Sequence, residues 1–161
     1  MTEKRLAQLN AQFKPSLIAT EIHGKVAIVK FLNHFGVVKI TRNFMKQVDA
    51  IFLDLEKDDN IAVIIMTGTG NQFAVGADVT EIAKLDSASH FFDDMFEREC
   101  WLIVPEIRKP VISAINGMCF GGGLETAMMA DIILCSEGSM MGQPEINLAL
   151  VPGCGGAVRL A

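Results

Sequence analysis

The chain has 161 residues, half of them hydrophobic and 20% charged, which suits one globular domain and excludes a disordered tail or a coiled coil. Fourteen Lys and Arg against nineteen Asp and Glu leave a net charge of −5, a balance that argues against a general nucleic-acid or anionic-membrane footprint. Mean hydropathy is +0.35, high for such a chain, yet no apolar run approaches the ~18 residues of a spanning helix; a surplus of this kind often marks a subunit interface. The four cysteines, Cys100, Cys119, Cys135 and Cys154, form no CxxC pair and read as free buried thiols of a reducing compartment. The N-terminus has no apolar h-region, and the expected location is the cytoplasm.

Residues 1–16 read as a polar leader, with a short helix carrying Leu6, Leu9 and Phe13, and residues 17–161 as the core domain. Leu17–His23 and Val26–Leu32 are two β-rich runs around His23-Gly24-Lys25, which predicts a hairpin. Phe44, Val48, Ile51, Phe52 and Leu55 fall at helical spacing between Thr41 and Lys57. The run Ile61–Thr67 is continuously apolar, as in strands buried on both faces. A glycine-bearing loop, Gly68–Gly76, follows, with Asp78 placed to cap a helix that starts near Val79. A second helical stretch is predicted over Ser87–Val104, with Phe91, Phe92, Met95, Phe96 and Trp101 as its apolar contacts. Val111–Ile115 is the next buried strand. Gly121-Gly-Gly123 opens a helix carrying Ala127, Met128 and Met129, and Ile132–Cys135 is another strand. Gly155–Ala161 has the pattern of the first turns of a helix. Alternation of strand and helix predicts an α/β layered domain with largely parallel pairing.

Several chemistries lack their residues. There is no GxSxG elbow and no GxxxxGK[ST] loop, and His23, His34 and His90 have no metal-ligand or triad spacing. Gly68-x-Gly70-x-x-Phe73 fails the dinucleotide fingerprint at its third glycine. What remains is a pair of glycine-bearing loops after buried strands, each able to bring backbone N–H groups close to a ligand, or to serve as a plain tight turn. One N–H from each loop, converging on one point, would make an oxyanion hole. Glu125, in the first turn after the triple glycine, and Glu145, after Pro144, are either first-turn acids favoured by the helix dipole or a general acid/base pair.

Asn71-Gln-Phe-Ala-Val-Gly-Ala-Asp78, Lys109-Pro-Val-Ile-Ser-Ala-Ile-Asn-Gly117, Gly121-Gly-Gly-Leu-Glu125, Met129-Ala-Asp-Ile132, Gly142-Gln-Pro-Glu-Ile146 and Val151-Pro-Gly-x-Gly-Gly156 together resemble the enoyl-CoA hydratase/isomerase (crotonase) superfamily, in the family's order and near its spacing. The resemblance implies a crotonase-like spiral β-β-α core without the C-terminal helical region. It implies reversible syn addition of water to 2-enoyl-CoA thioesters, in fatty-acid β-oxidation. The alternative is a non-catalytic or isomerase-type acyl-CoA-binding core. By resemblance the N–H groups of Ala77 and Gly122 form the oxyanion hole, Glu125 and Glu145 are the catalytic glutamates, and Gly153 helps place the reacting groups. Ala74, Ala77, Asp78, Val79 and Thr80 would border coenzyme A, which is part of the substrate, so no separate cofactor or metal is expected. A homotrimer or a dimer of trimers is implied. The chain departs from the family pattern at Asn33–Thr41, where the usual Arg, Pro and inner Asn are missing.

Overall fold

The computed structural model describes residues 7, 11–34, 36–84 and 100–161. Strands β1 (Ile18–His23) and β2 (Val26–Phe31) form the predicted antiparallel hairpin. Helix α1 (Arg42–Glu56) follows, and then three successive units that each begin with two strands. The first holds β3 (Val63–Gly68), β4 (Gln72–Ala74) and helix α2 (Val79–Ile82). Helix α3 (Cys100–Glu106) leads into the second, with β5 (Val111–Ile115), β6 (Met118–Phe120) and helix α4 (Gly122–Ala127). The third holds β7 (Ile132–Cys135), β8 (Met140–Gly142), a 3-10 helix (Pro144–Leu148) and helix α5 (Gly156–Arg159).

The first strand of every unit joins one five-stranded sheet, ordered β1-β2-β3-β5-β7 and parallel from β2 onward. The second strands join a parallel three-stranded sheet, ordered β4-β6-β8. The chain therefore winds as a spiral of β-β-α turns, each laid beside the one before.

Helix α1 forms where its spacing predicts. The Thr41 hydroxyl accepts the Phe44 N–H at 3.0 Å as an N-cap. Beyond its other end the Lys109 ammonium donates to the carbonyls of Leu55 and Asp58, both at 2.6 Å. A cation there suits the negative end of the helix dipole. The apolar face of α1 meets alternate residues of β2 and β3, with Ala27, Val29, Phe31, Ile64 and Met66 all buried. Phe31 is the hub of this layer. Its ring lies 4.9 Å from that of Phe44 and 5.1 Å from that of Phe73, both edge-on.

Five expectations are corrected. In β3 and β5 burial alternates along the strand, so one face is packed into the core and the other is only half-buried, despite the continuous apolar run. Helix α4 ends at Ala127, with Met128 as its C-cap and Met129 already in the turn. Helix α3 runs past Val104 to Glu106 and contains Pro105; Phe91, Phe92, Met95 and Phe96 lie outside the described residues. Of the thiols, Cys119 is buried, and burial pushes its pKa up to about 12, whereas Cys135 is exposed and Cys154 intermediate. In the leader, Ala7 and Ala11 are helical, but Phe13 lies in a bend, and Leu6 and Leu9 are also outside the described residues.

Phe31→Ala removes the shared neighbour of two rings from a fully buried site. The expected cost is on the order of 3–5 kcal/mol, because the packed strands and helix relax only partly into the cavity. Urea unfolding of the two proteins measures it.

Candidate functional site

A cavity of ≈ 160 Å³ opens where the three units meet, walled by residues including Ile40, Val75, Ala77, Gly122, Glu125, Glu145, Leu148, Val151, Gly153 and Cys154. It lies at the mouths of the two glycine-bearing loops. These loops are tied together by Asn116, whose amide oxygen accepts the Gly68 N–H at 3.2 Å. Its amide nitrogen donates to the carbonyls of Gly68 (3.1 Å) and Gly70 (2.8 Å). Together with the Met118 N–H, which donates to the Asn71 carbonyl at 3.0 Å, this side chain joins the two turns.

The first loop is aimed by the segment Val38–Ile40. Ile40 donates its N–H to the Gly76 carbonyl at 2.9 Å and accepts the Asp78 N–H at 3.1 Å, a single parallel bridge with Ala77. In such a bridge the residue between the two bonded neighbours turns its own N–H away from the partner segment. The Ala77 N–H accordingly donates to nothing among the described residues. The segment itself is held by Gln72, whose buried amide accepts from Val38 N–H at 2.8 Å and donates to the Gly36 carbonyl at 3.0 Å.

The second loop begins α4. Gly121 donates to the Gly142 carbonyl at 2.9 Å, and the Glu125 N–H closes the first helical turn on the Gly121 carbonyl at 3.0 Å. The Gly122 N–H, in that first turn, has no partner among the described residues, as helix starts require. The two loops pack closely, since a Cβ on Gly76 would lie 3.6 Å from the Gly122 nitrogen. Two unpartnered N–H groups from different units therefore sit at one wall.

Glu125 is 2% exposed. Its Oε1 accepts the N–H groups of Cys154 at 2.7 Å and Gly156 at 2.8 Å, and its Oε2 accepts none among the described residues. Glu145, in the first turn of the 3-10 helix, reaches back over α4. Gly121 has φ +52°, and a Cβ there would come within 2.6 Å of Glu145 Oε1, so the carboxylate rests on bare backbone. Oriented by its hydrogen-bond partners, the Gln143 amide nitrogen donates to both Glu145 oxygens at 3.0 Å. Burial raises the Glu145 pKa above its usual 4.5, and the Glu125 charge adds to the rise, while Glu145's own backbone N–H opposes it. The two acids thus feel each other across the cavity.

Ala77, Val79, Gly122, Glu125, Glu145 and Gly153 all line the cavity. Ala74, Asp78 and Thr80 do not. Ala74 is fully buried with its carbonyl beneath Gly123. Asp78 is the N-cap of α2, its Oδ1 accepting the Thr80 N–H at 3.0 Å and hydroxyl at 2.8 Å. The residues the motif reading passed over are Asn116 as a loop tie, Gln72 as a strut, and Gln143. Among the described residues no group of three His, Cys, Asp or Glu side chains could hold a metal ion, and no helix is long and apolar enough to cross a membrane.

Fold and site together define an α/β spiral whose loops offer backbone donors and two carboxyl groups to one cavity. The enoyl-CoA hydratase/isomerase family model matches residues 21–161, and the chain belongs to that family. It is 36% identical over 141 residues to a probable mitochondrial enoyl-CoA hydratase of Dictyostelium discoideum, covering 88% of this chain and 50% of that protein. It is 32% identical over 145 residues to a short-chain-enoyl-CoA hydratase of Clostridium acetobutylicum, covering 89% and 56%. The crystal structure of an enoyl-CoA hydratase from Thermoplasma volcanium superposes with a TM-score of 0.82 at 30% identity, covering 92% of this chain and 59% of that one. The fold is the crotonase fold, and the chain spans about half the length of the relatives it matches.

The raised Glu145 pKa has a consequence for stability. A carboxyl whose folded pKa exceeds its unfolded value stabilises the fold below the unfolded value, and that contribution is lost as pH rises through the folded value. Glu145→Gln should therefore match the wild-type melting temperature near about pH 4 and exceed it near about pH 7. Thermal melts across that range check the sign.

Proposed function

We propose that the chain carries the catalytic machinery of an enoyl-CoA hydratase, adding water reversibly and in syn fashion to a 2-enoyl-CoA thioester. The observation that carries this reading is the convergence of Glu125, Glu145 and the unpartnered N–H groups of Ala77 and Gly122 on one cavity. The N–H pair would accept the thioester oxygen as it gains charge, a stabilisation worth most in a site that excludes water. A water molecule between the carboxyl groups supplies all the added atoms. Glu125 takes a proton from that water as its oxygen attacks C3, and Glu145 gives a proton to C2. The proton on Glu125 returns to Glu145 by exchange with water, so that the net addition is one water molecule. The upward displacement of the Glu145 pKa, caused first by burial, is in the direction that suits a proton donor. Family membership and the hydratase names of its relatives support the same reaction class.

A second reading, an acyl-CoA-binding core without useful turnover, has one observation in its favour. Part of the cavity wall is bare, with Leu148 at 57% and Val151 at 75% exposure, so water is poorly excluded from that side. Crotonyl-CoA hydration, followed beside a calorimetric titration with acetyl-CoA, separates the two. The hydratase reading expects turnover, with Glu125→Gln and Glu145→Gln each lowering kcat by roughly 10²–10⁴-fold and changing ligand affinity far less. Binding without turnover selects the second reading.

The proposal includes self-association through the apolar edge of the spiral. Ile132, Leu134, Met140, Ile146 and Val158 are all at least half exposed, and soluble monomers rarely leave large contiguous apolar patches bare. Light scattering on dilute protein should report a homo-oligomer, and a stable monomer would remove this part of the proposal.

A further inference from the structure

We propose that Gln72 is the positioning residue of the Ala77 donor: its side-chain amide replaces a missing step of backbone pairing and so fixes the direction of the Ala77 N–H. That this N–H meets a thioester oxygen rests on the hydratase reading above. Segment 38–40 runs parallel to 75–78, joined by the Val75 N–H on the Val38 carbonyl at 2.9 Å and by both backbone polar groups of Ile40. A regular parallel ladder would next pair the Val38 N–H with the Ala74 carbonyl. That carbonyl lies instead beneath Gly123, where an added Cβ would strike it. The Gln72 side-chain carbonyl takes its place, accepting the Val38 N–H at 2.8 Å, while the amide nitrogen donates to the Gly36 carbonyl at 3.0 Å. One side chain acts here as a surrogate peptide group, with an acceptor and a donor correctly spaced. The Gly36 carbonyl also accepts the Asn33 amide at 3.1 Å, so the bond that Gln72 alone supplies is the one to Val38.

The end of Gln72 that bears the load is rigid, and the segment it holds is loosely packed. Two glycines grip its backbone: a Cβ on Gly68 would strike the Gln72 carbonyl, and one on Gly117 would come within 3.0 Å of the Gln72 nitrogen. The residue is 5% exposed, so water does not compete for its amide. The held segment borders a cavity of ≈ 260 Å³, walled by residues including Leu17, Leu32, Val38, Thr41 and Phe44. Side chains facing empty space lose their packing partners there, and hydrogen bonds must fix what contact does not. Gln72 lines neither this cavity nor the one beside Ala77, so it acts only through the segment. A backbone donor stabilises a developing charge only when it is already aimed at it. Releasing Val38 frees Ile40 to turn, and Ala77 turns with it.

The test first reads the ligand-free protein by NMR, so it does not depend on turnover. In wild type the backbone ¹⁵N order parameters of Val38, Ile40 and Ala77 should lie near the ~0.85 of rigid backbone. In Gln72→Met, which keeps the length and removes both bonds, they should fall toward about 0.6 while that of Gly122 stays high. Crotonyl-CoA hydration by that variant should show kcat lowered by roughly 10–100-fold at little-changed KM. A residue that served stability alone would lower the melting temperature and move neither reading. Unchanged order at Ala77 in folded Gln72→Met overturns the proposal, as do low wild-type values over the same residues. An unchanged kcat in a variant whose Ala77 has loosened overturns it too. If Gln72→Met does not fold, Gln72→Asn, one methylene too short to reach Val38, is read in the same way. Loosening of Ala77 in a protein whose wild type hydrates nothing upholds the positioning role and removes the hydratase reading instead.

Discussion

The site depends on the bond between one oxygen of a buried carboxylate and two backbone N–H groups. Glu125 is almost wholly removed from water, and an unpaired carboxylate in that position would cost several kcal/mol. The Cys154 and Gly156 N–H groups offset the cost, and in doing so they draw the Val151–Gly156 segment down onto α4. That segment closes one side of the cavity and brings Gly153 and Cys154 to its wall. The same helix start leaves the Gly122 N–H unpartnered. A single side chain therefore joins the third turn of the spiral to the second, and the chemistry of the cavity inherits its geometry from that join.

Much of the frame was legible in the sequence because it rests on strong local signals. The hairpin around Gly24, the apolar spacing of α1, the Asp78 cap and the positions of the main parallel strands all appear where the residue pattern predicts them. The three-stranded sheet does not announce itself. Its members are three residues long, too short for any period, and they exist only because the spiral stacks them. The apolar run over β3 misleads for a related reason. Composition reports what a strand can bury, whereas burial on its second face depends on which layer covers it. Glu125 and Glu145 were recognisable by motif, but their meeting across the cavity is a tertiary fact. The roles of Asn116, Gln72 and Gln143 left no signal, since a side-chain amide that bridges two loops looks like any polar residue in a turn.

The uneven exposure of the molecule follows from the spiral. Each β-β-α turn is covered by the next, so every second residue of β2 and β3 is buried and the rest are half-buried, whereas all four residues of β7 are exposed. The edge of β7 is also where the parallel sheet ends. Apolar side chains and unpaired backbone groups thus coincide at one edge, and sheets rarely leave such an edge uncovered. Most of the exposed large apolar side chains fall in the last turn of the spiral, from Ile132 to Leu160.

The same asymmetry divides the cavity. One wall is built by the Ala77 loop, the start of α4 and Glu125, each pinned by backbone bonds or by the Asn116 and Gln72 amides. The other wall is the 3-10 helix and the segment after it, with Ile146, Leu148 and Val151 open to solvent. Backbone donors that must meet a developing charge gain from standing on the rigid side, because reorganisation at the moment of reaction would cancel their advantage. A group that must take up and release a proton gains from moderate exposure, where burial raises its pKa without trapping it in one state. Glu145 is placed on the second wall, Ala77 and Gly122 on the first. In the proposed reaction this would divide rigid donors from a tunable acid, and the division follows from where the spiral is covered and where it is bare.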